Sequence, residues 1–458
     1  KLVSYRIGDS MKKNVLSVIY FFPPMGGSGV QRTLKFIKYM PDFDYFPVVE
    51  TVEEGHNFAY DESLLDEVPS TVKVYRSNAG ETLWLRNIIE KLSSLRKRKN
   101  TEDNSEEKDS SSNDSSPSSP GLKDRVFRFI DSNFFIPDSK IRWYKNAVKD
   151  VDKVIGNENI DFIFSSSYPY TVHLIALYAK KKYNLPWVAD FRDPWVGNVF
   201  MTEGHSEKRK KKEAAMEAEV IKYADKIIMV TEPICDMYKK RYPEYSDKFV
   251  TITNGFDSGD YTNINTVRED EFTICYSGIL TEGQSPETLI KAIEKLIEYD
   301  NEVKENIKIK FIGYMLDEYK YMFLNSSLKE KLFVLDYMPH KDCLEHMKGA
   351  DINLMILADK EESKGVFSGK IFDYIGVEKP ILGIMPKGVA SNLILQKDIG
   401  KSFNHGDVDE VYEFIKENYY LWKENKGVST NAKEKCAEFD RINLTKQLVN
   451  LFDDLKSN

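Results

Sequence analysis

The sequence is poor in the residues that build metal centres and disulfide frameworks. Its 458 residues include four cysteines and six histidines. The cysteines are scattered, and no two form a CxxC pair. This scarcity argues against a zinc-finger or disulfide-stapled protein, and it predicts reduced thiols in a cytosolic protein without a structural metal site.

The chain also lacks an excess of positive charge and a long run of apolar residues. Lys and Arg number 65 against 73 Asp and Glu, a formal net charge of -8, which argues against nucleic acid as a partner. The first apolar run, 15–22, is too short to cross a bilayer and no signal-peptide cleavage pattern follows it. We expect a cytoplasmic protein that starts naturally at Met11, with residues 1–10 as upstream residues outside the fold.

The sequence does contain apolar runs that alternate with helical patterns. They occur at 15–22, 46–51, 72–75, 162–165, 187–190, 226–230 and 249–252, and again at 272–276, 307–312, 333–335, 352–355 and 380–384. Such alternation predicts βαβ units and parallel sheets, an α/β fold class, and the length predicts two domains. We place them at 11–253 and 271–430, separated by a polar hinge at 254–270 and followed by a C-terminal helix at 431–458.

One insertion interrupts the first domain. Residues 84–100 place apolar side chains on one helical stripe and end in the basic run 96–99, whereas residues 101–120 are acidic, serine-rich and predicted to be a disordered linker. A basic amphipathic helix beside a tether indicates attachment to an anionic membrane surface. A solvated helix packed on the domain is the other interpretation.

The loop PPMGGSGVQR, 23–32, lies between the first strand and a helix. Its glycines allow close approach to the backbone, at a point where unpaired amides and the helix dipole favour an anion. Arg32 stands where a dinucleotide fingerprint needs its third glycine, and the lysine of a Walker loop is missing. The remaining interpretation is a loop that binds phosphate or sugar without belonging to either motif, and the alternative is a purely structural turn.

A second pattern is GVFSGKIFDYIGVEKPIL, 365–382. Ser368 and Gly369 open a short helix on which Lys370 and Asp373 share a face. The helix start and Lys370 can hold phosphate oxygens, and one turn later the Asp373 carboxylate can accept hydrogen bonds from ribose hydroxyls. An exposed helix with an ordinary ion pair has the same pattern.

Five segments in order resemble the GT-B nucleotide-sugar glycosyltransferases of family 4, which are common in bacterial capsule and surface-polysaccharide pathways. They are VIYFFPPMGGSGVQR, the stretch 162–195, TITNGFD, YSGIL and SGKIFDYIGVEKPIL. The resemblance implies two Rossmann-like domains facing a cleft, an acceptor-side domain at 11–253 and a nucleotide-sugar donor domain at 271–430, with the C-terminal helix 431–458 crossing back to the first domain. It also implies metal-independent transfer from a nucleotide sugar to a hydroxyl acceptor, with retention of anomeric configuration and without a cofactor.

The same resemblance implies residue roles. In the first domain Gly26 and Gly27 would approach the donor, with Arg32 adding charge. In the second, Gly278 would open the first βα loop, Lys370 would bind diphosphate, and Asp373 would replace the ribose-binding glutamate. Ser368, Gly369 and Gln284 would also contact the donor, while Tyr337, Met338 and Pro339 would line the nucleobase pocket.

Some positions depart from the family. Ile279 and Gln284 stand where many members have Arg and Lys, and Gly365 falls where the first glutamate of an E-x7-E pattern belongs. More of the phosphate binding would then fall to Lys370, to helix termini and to Arg192. In DFRDPW, 190–195, Arg192 could stabilise the departing diphosphate and Asp193 could orient an acceptor hydroxyl; a salt-bridged corner is the architectural alternative.

The expected partners follow from the resemblance. They are a UDP- or GDP-sugar donor and a sugar, lipid-linked or protein-linked acceptor, with peripheral attachment to the inner face of the plasma membrane through 84–100 and no nucleic acid. Two other functions stay open. One is a GT-B sugar-nucleotide epimerase or hydrolase, and the other is a non-catalytic scaffold that has lost donor contacts.

Overall fold

The computed structural model describes residues 12–53, 60–80, 135–197, 205–425 and 427–456. The chain divides into two compact units. The first is Lys1–Val230, Met237–Val250 and Val449–Asn458, and the second is Thr231–Asp236 and Thr251–Leu448. The division after Val250 lies a few residues before the predicted hinge, 254–270, which is part of the second unit. The predicted upstream residues 1–10, helix 84–100 and linker 101–120 lie outside the described residues.

The first unit contains a seven-stranded sheet in the order β3-β2-β1-β4-β5-β6-β7, parallel from β3 to β6. Its strands are β1 (Lys13–Val18), β2 (Tyr45–Val52), β3 (Lys73–Ser77), β4 (Phe162–Ser167), β5 (Trp187–Phe191), β6 (Lys226–Met229) and β7 (Phe249–Thr251). Its helices are α1 (Ser28–Tyr39), α2 (Tyr144–Asn157), α3 (Thr171–Tyr183), α4 (Glu207–Tyr223) and α5 (Glu232–Arg241), the last of which begins in the second unit.

The central strands of this sheet are buried on both faces, as parallel strands covered by helices must be. Every residue of β4 and β5 is buried. The end of the chain completes this core, because the Phe452 ring lies 5.4 Å from that of Tyr45 and 5.0 Å from that of Phe162. The first strand is shorter than predicted: it ends at Val18, and residues 19–22, of which Ile19, Tyr20 and Phe22 are buried, continue as a loop.

The second unit contains a six-stranded parallel sheet in the order β10-β9-β8-β11-β12-β13. Its strands are β8 (Phe272–Ser277), β9 (Ile307–Ile312), β10 (Leu332–Leu335), β11 (Ile352–Ile356), β12 (Ile381–Ile384) and β13 (Gly400–Phe403). Its helices are α6 (Glu287–Tyr299), α7 (Glu302–Asn306), α8 (Asp317–Leu324), α9 (His340–Gly349), α10 (Lys370–Val377), α11 (Val389–Gln396), α12 (Val408–Lys423), α13 (Ala432–Lys435) and α14 (Arg441–Lys456), which ends in the first unit.

Both sheets have a topological switch point. The chain order runs outward in one direction from β1 and then in the other from β4, and the same reversal occurs at β8 and β11. Ligands of open α/β sheets bind outside the carboxyl ends of the strands at such points. The predicted α/β class with two Rossmann-like units is confirmed. Within the described residues, no helix has the length and apolar character needed to cross a membrane.

Candidate active site

In the second unit a lysine stands beside the switch point between β8 and β11. Lys370 is the first residue of α10, and its Nζ donates a hydrogen bond of 2.5 Å to the Tyr276 hydroxyl and lies 4.1 Å from the centre of that ring. Burial lowers the pKa of Lys370 to about 8. Among the residues that the structure describes, no carboxylate pairs with this ammonium. Its charge is therefore held by an uncharged partner and is not neutralised.

A glycine makes room for this lysine. Gly278, directly after β8, has φ +123°, and a Cβ built on it would lie 2.5 Å from Lys370 Cε. The next βα loop repeats the arrangement, because a Cβ on Gly313, at φ +115°, would lie 2.6 Å from the Gly278 carbonyl oxygen. Both positions therefore require glycine, and Gly278 lies where the sequence places the start of a ligand-binding loop.

Asp373 lies one turn after Lys370 on α10. Its Oδ1 is 3.1 Å from His340 Nε2 and accepts a 3.4 Å hydrogen bond from the Tyr261 hydroxyl. Both described contacts use Oδ1, so Oδ2 keeps its capacity to accept, and the side chain is 28% exposed. This geometry suits the predicted contact with ribose hydroxyls, which stays a prediction.

The other predicted donor-binding residues of this unit lie on loops at the same edge of the sheet. The carbonyls of Ser368 and Gly369 accept the amides of the first turn of α10, and a Cβ on Gly369 would meet nothing within 4 Å. Tyr337 is 78% exposed after β10, and Met338 and Pro339 lead into α9. These residues are accessible to a ligand, and their role in nucleobase binding stays a prediction.

Gln284 connects two loops of the second unit. Its Oε1 accepts hydrogen bonds from the Thr281 amide at 2.8 Å and the Thr281 hydroxyl at 3.0 Å, and its Nε2 donates to the Ile356 carbonyl at 2.9 Å. Thr281 follows β8 and Ile356 ends β11, so the amide joins the two sides of the switch point. In this geometry Gln284 braces the site, and direct contact with the donor stays a prediction.

In the first unit the glycine loop is fixed by its neighbours. Arg76 donates a 2.5 Å hydrogen bond to the Pro23 carbonyl, and the Asp61 amide donates to the Pro24 carbonyl at 2.9 Å. Gly27 has φ +90° and precedes the first residue of α1, and Gly26 is buried beside it. The two glycines thus bring a rigid backbone to the start of a helix, an arrangement suited to an anion.

Arg32 has a different role from its neighbours. It is 2% exposed, and its Nε and Nη2 donate to the two carboxylate oxygens of Asp190 at 2.9 and 2.8 Å. Asp190 is fully buried and also accepts from the Ser166 hydroxyl at 2.6 Å. A bidentate buried pair of this kind joins α1 to β4 and β5. The described geometry commits the Arg32 charge to Asp190, so direct donor binding by Arg32 stays a prediction without geometric support.

Arg192 and Asp193 lie in the loop after β5. Their charged groups are 3.9 Å apart, and the side chains are 25% and 49% exposed. Arg192 Nη1 lies 3.6 Å from the position of a Cβ on Gly29, which places a cation beside the first turn of α1. The loop continues into fixed structure, because the Trp195 amide donates to the Tyr238 hydroxyl at 2.9 Å. Arg192 and the start of α1 therefore favour the same anion.

The predicted residues thus form one group in each unit. Lys370, Gly278 and Asp373 gather around the second switch point, and the glycine loop lies near Arg192 at the first. Sequence reasoning missed Tyr276, the hydrogen-bond partner of Lys370. The signal that could have found it was its position two residues before the glycine of YSGIL, at the end of a buried strand.

The comparisons with known proteins bear on the fold and on the family resemblance. Residues 110–259 match the model of Glycosyltransferase Family 4. Sucrose-phosphate synthase from Thermosynechococcus elongatus superposes with a TM-score of 0.60 at 11% identity, over 97% of this chain and 99% of that one. Anabaena HepE in complex with UDP-glucose gives 0.54 at 13%, over 96% and 99%, and WaaG, a glycosyltransferase involved in lipopolysaccharide biosynthesis, gives 0.52 at 12%, over 95% and 99%.

Among curated proteins, the sequence search found no match. The structural neighbours are too distant in sequence to show more than the fold, and that fold is GT-B over nearly the whole chain. The family match lies in the segment that carries the DFRDPW loop and Asp190. Fold and family match together confirm the resemblance: the chain has a GT-B fold, and its residues 110–259 are similar to Glycosyltransferase Family 4.

Proposed function

We propose that this enzyme transfers a hexose from a nucleoside-diphosphate sugar to a hydroxyl acceptor, with retention of anomeric configuration. The observation that carries the proposal is Lys370: a half-buried ammonium without a described carboxylate partner, at the start of α10 and at the switch point of a Rossmann-like sheet. A buried charge is costly unless something compensates it, and a diphosphate at this point supplies that compensation.

In the proposed reaction the bond between the anomeric carbon and the diphosphate breaks, and a bond to the acceptor oxygen forms on the same face of the sugar. The proton of the acceptor hydroxyl passes to the departing phosphate oxygen, so no dedicated carboxylate base is needed. Lys370 and the first turn of α10 stabilise the negative charge that grows on the leaving group. These positive groups would allow transfer without a metal ion.

Two of the similar structures support a choice of donor and pathway to test. The HepE structure is a complex with UDP-glucose, and WaaG is a glycosyltransferase involved in lipopolysaccharide biosynthesis. We therefore propose a UDP-sugar as the first donor to test, with a GDP-sugar as the second, and a role in bacterial surface-polysaccharide or glycoconjugate synthesis. The proposed acceptor is a sugar carried by a lipid or a protein.

The first experiment measures nucleotide binding. Calorimetry with UDP, GDP and ADP should detect one preferred nucleotide, and Lys370→Ala should weaken that binding by at least about a hundredfold, to an affinity that is still measurable, without unfolding the protein. Lys364→Ala is the matched control, because Lys364 lies on the preceding loop, is 45% exposed and pairs with Glu361. Binding of none of the three nucleotides by the wild-type protein would favour a scaffold without donor binding.

The second experiment identifies the reaction. With the preferred nucleotide sugar and a panel of hydroxyl acceptors, product analysis should show sugar transfer that depends on the acceptor and persists in EDTA. Conversion or hydrolysis of the donor at the same rate without any acceptor would instead identify an epimerase or hydrolase. Near-wild-type turnover by Lys370→Ala at saturating donor would remove the lysine from the mechanism.

The proposed location is the cytoplasmic side of the plasma membrane, with peripheral attachment through residues 84–100. The support is the basic amphipathic pattern of this segment together with the lipid-linked acceptors expected for such enzymes. In flotation with anionic vesicles, deletion of 84–120 should reduce the bound fraction. Unchanged flotation of the deletion variant would reject this segment as the attachment site.

A further inference from the structure

The hydroxyl of Tyr276 occupies the centre of a short hydrogen-bonded chain in the second unit. It accepts the hydrogen bond from Lys370 Nζ and donates its own proton to the Ile279 carbonyl at 2.8 Å. A hydroxyl that donates to a carbonyl turns its lone pairs towards a second donor. The Ile279 carbonyl therefore orients the Tyr276 oxygen as an acceptor for the lysine.

The tyrosine itself is held rigidly. It is 1% exposed at the end of β8, and its ring centre lies 5.1 Å from that of Phe311 on the neighbouring strand. The lysine is held against it from two directions, because Nζ lies 4.1 Å from the ring centre and Gly278 leaves room for the aliphatic stem. Ring, hydroxyl and glycine together define one position for the ammonium.

The chemistry of this partner has a consequence. A carboxylate at the same place would hold the lysine equally well but would neutralise it, as Asp190 does for Arg32. A neutral hydroxyl fixes the ammonium and leaves its positive charge for an anion. This matters more here because Ile279 and Gln284 supply no further cation on the loop after β8.

We propose that Tyr276 is the positioning residue for Lys370, holding its ammonium at the place where it meets the diphosphate of the donor. This inference rests on the proposed function, since it assigns Lys370 to the diphosphate. Tyr276 acts through Lys370 and needs no contact with the donor.

The test is a double-mutant cycle on nucleotide binding. Tyr276→Phe keeps the ring and removes the hydroxyl, so it should weaken binding of the preferred nucleoside diphosphate by roughly ten- to a hundredfold, the range expected for losing a hydrogen bond to a charged group. Binding of the corresponding nucleoside, which has no phosphate, should change less than twofold. In a Lys370→Ala background the Tyr276→Phe substitution should have no further effect on diphosphate binding.

Tyr374→Phe is the matched control. This tyrosine lies on α10, is fully buried, and donates its hydroxyl proton to the Leu354 carbonyl at 2.8 Å. It should leave the ratio of diphosphate to nucleoside affinity unchanged, even if it lowers the melting temperature as much as Tyr276→Phe does.

The outcomes separate the two proposals. If the wild-type protein binds none of the nucleotides, the proposed function fails and Tyr276 fails with it. If Lys370→Ala weakens diphosphate binding but Tyr276→Phe does not, only the positioning role is overturned. The same result follows if Tyr276→Phe weakens nucleoside and diphosphate equally, or if its effect persists undiminished in the Lys370→Ala background.

Discussion

Each unit of this protein places one prominent cation near the switch point of its parallel sheet, and the two cations have different partners. In the first unit Arg32 is bound at both ends of its fork by the Asp190 carboxylate. In the second, Lys370 has a tyrosine hydroxyl and ring as its described partners. A carboxylate turns a cation into a structural bridge, whereas a neutral acceptor keeps it available for chemistry.

The largest expected effect comes from comparing the two aspartates of DFRDPW, Asp190 and Asp193. Asp190→Asn should lower the free energy of unfolding by about 3–5 kcal/mol, because it leaves the buried Arg32 charge uncompensated. Asp193→Asn, at a side chain that is 49% exposed, should change it by no more than about 0.5 kcal/mol. Denaturant unfolding of both variants measures the difference. Equal stabilities would contradict an architectural role for the Arg32–Asp190 pair.

The next largest loss of stability is expected when the space that Gly278 leaves for Lys370 is filled. Gly278→Ala should destabilise the protein by about 1–3 kcal/mol because of the positive φ, and it should also weaken diphosphate binding by displacing the lysine stem. Gly369→Ala, at a position with open space and φ -53°, serves as the control for stability and should be close to neutral. Wild-type diphosphate affinity in Gly278→Ala would show that the lysine does not depend on this space.

The smallest expected change in the free energy of unfolding is an increase, whereas the two changes above are decreases. Lys370→Met should raise the free energy of unfolding at pH 7 by roughly 1 kcal/mol, because it removes a partly desolvated charge while keeping the stem, and it should abolish diphosphate binding. Lys364→Met, at an exposed lysine, should show neither change. Thermal unfolding and calorimetry measure the pair. A variant less stable than the wild-type protein would indicate that the ammonium contributes to folding.

The pH dependence provides a second measurement on the same variant. The folded pKa of Lys370, about 8, lies below its ordinary value of 10.5, so the unfolded chain binds more protons between these values. Wild-type stability should therefore rise with pH across this window relative to Lys370→Met, and the difference between them should shrink. Diphosphate affinity should fall above about pH 8, as the lysine loses its proton.

The sequence predicts the architecture well because the buried parallel strands are short runs of apolar residues, which are visible in the sequence. It misses β13 (Gly400–Phe403), a four-residue edge strand with one large apolar residue. It also extends β1 too far, since Ile19, Tyr20 and Phe22 are as buried as the strand itself and the end of a strand has no apolar signature. Burial and strand pairing are separate properties, and a run of apolar residues indicates burial without showing where strand pairing ends.

Some features of the candidate site are visible in the sequence, and others arise only from the fold. Lys370 and Asp373 follow from helical spacing within four residues, which a sequence shows directly. The pairing of Arg32 with Asp190 joins positions 158 residues apart, so only the fold brings them together. Tyr276 and Lys370 are 94 residues apart and meet because β8 and the start of α10 share one edge of the sheet.

Gln284 has a consequence for how a donor binds. Its side-chain amide holds the loop after β8 to the end of β11 through three hydrogen bonds. The loop is thus ordered before any ligand arrives, and binding does not have to supply the conformational entropy of freezing it. A long, mobile cation at this position would bring charge with that entropic cost, whereas the glutamine brings a preorganised surface. At this loop the hydrogen bonds of Gln284 thus contribute order to the site, and the attraction for the diphosphate has to come from Lys370.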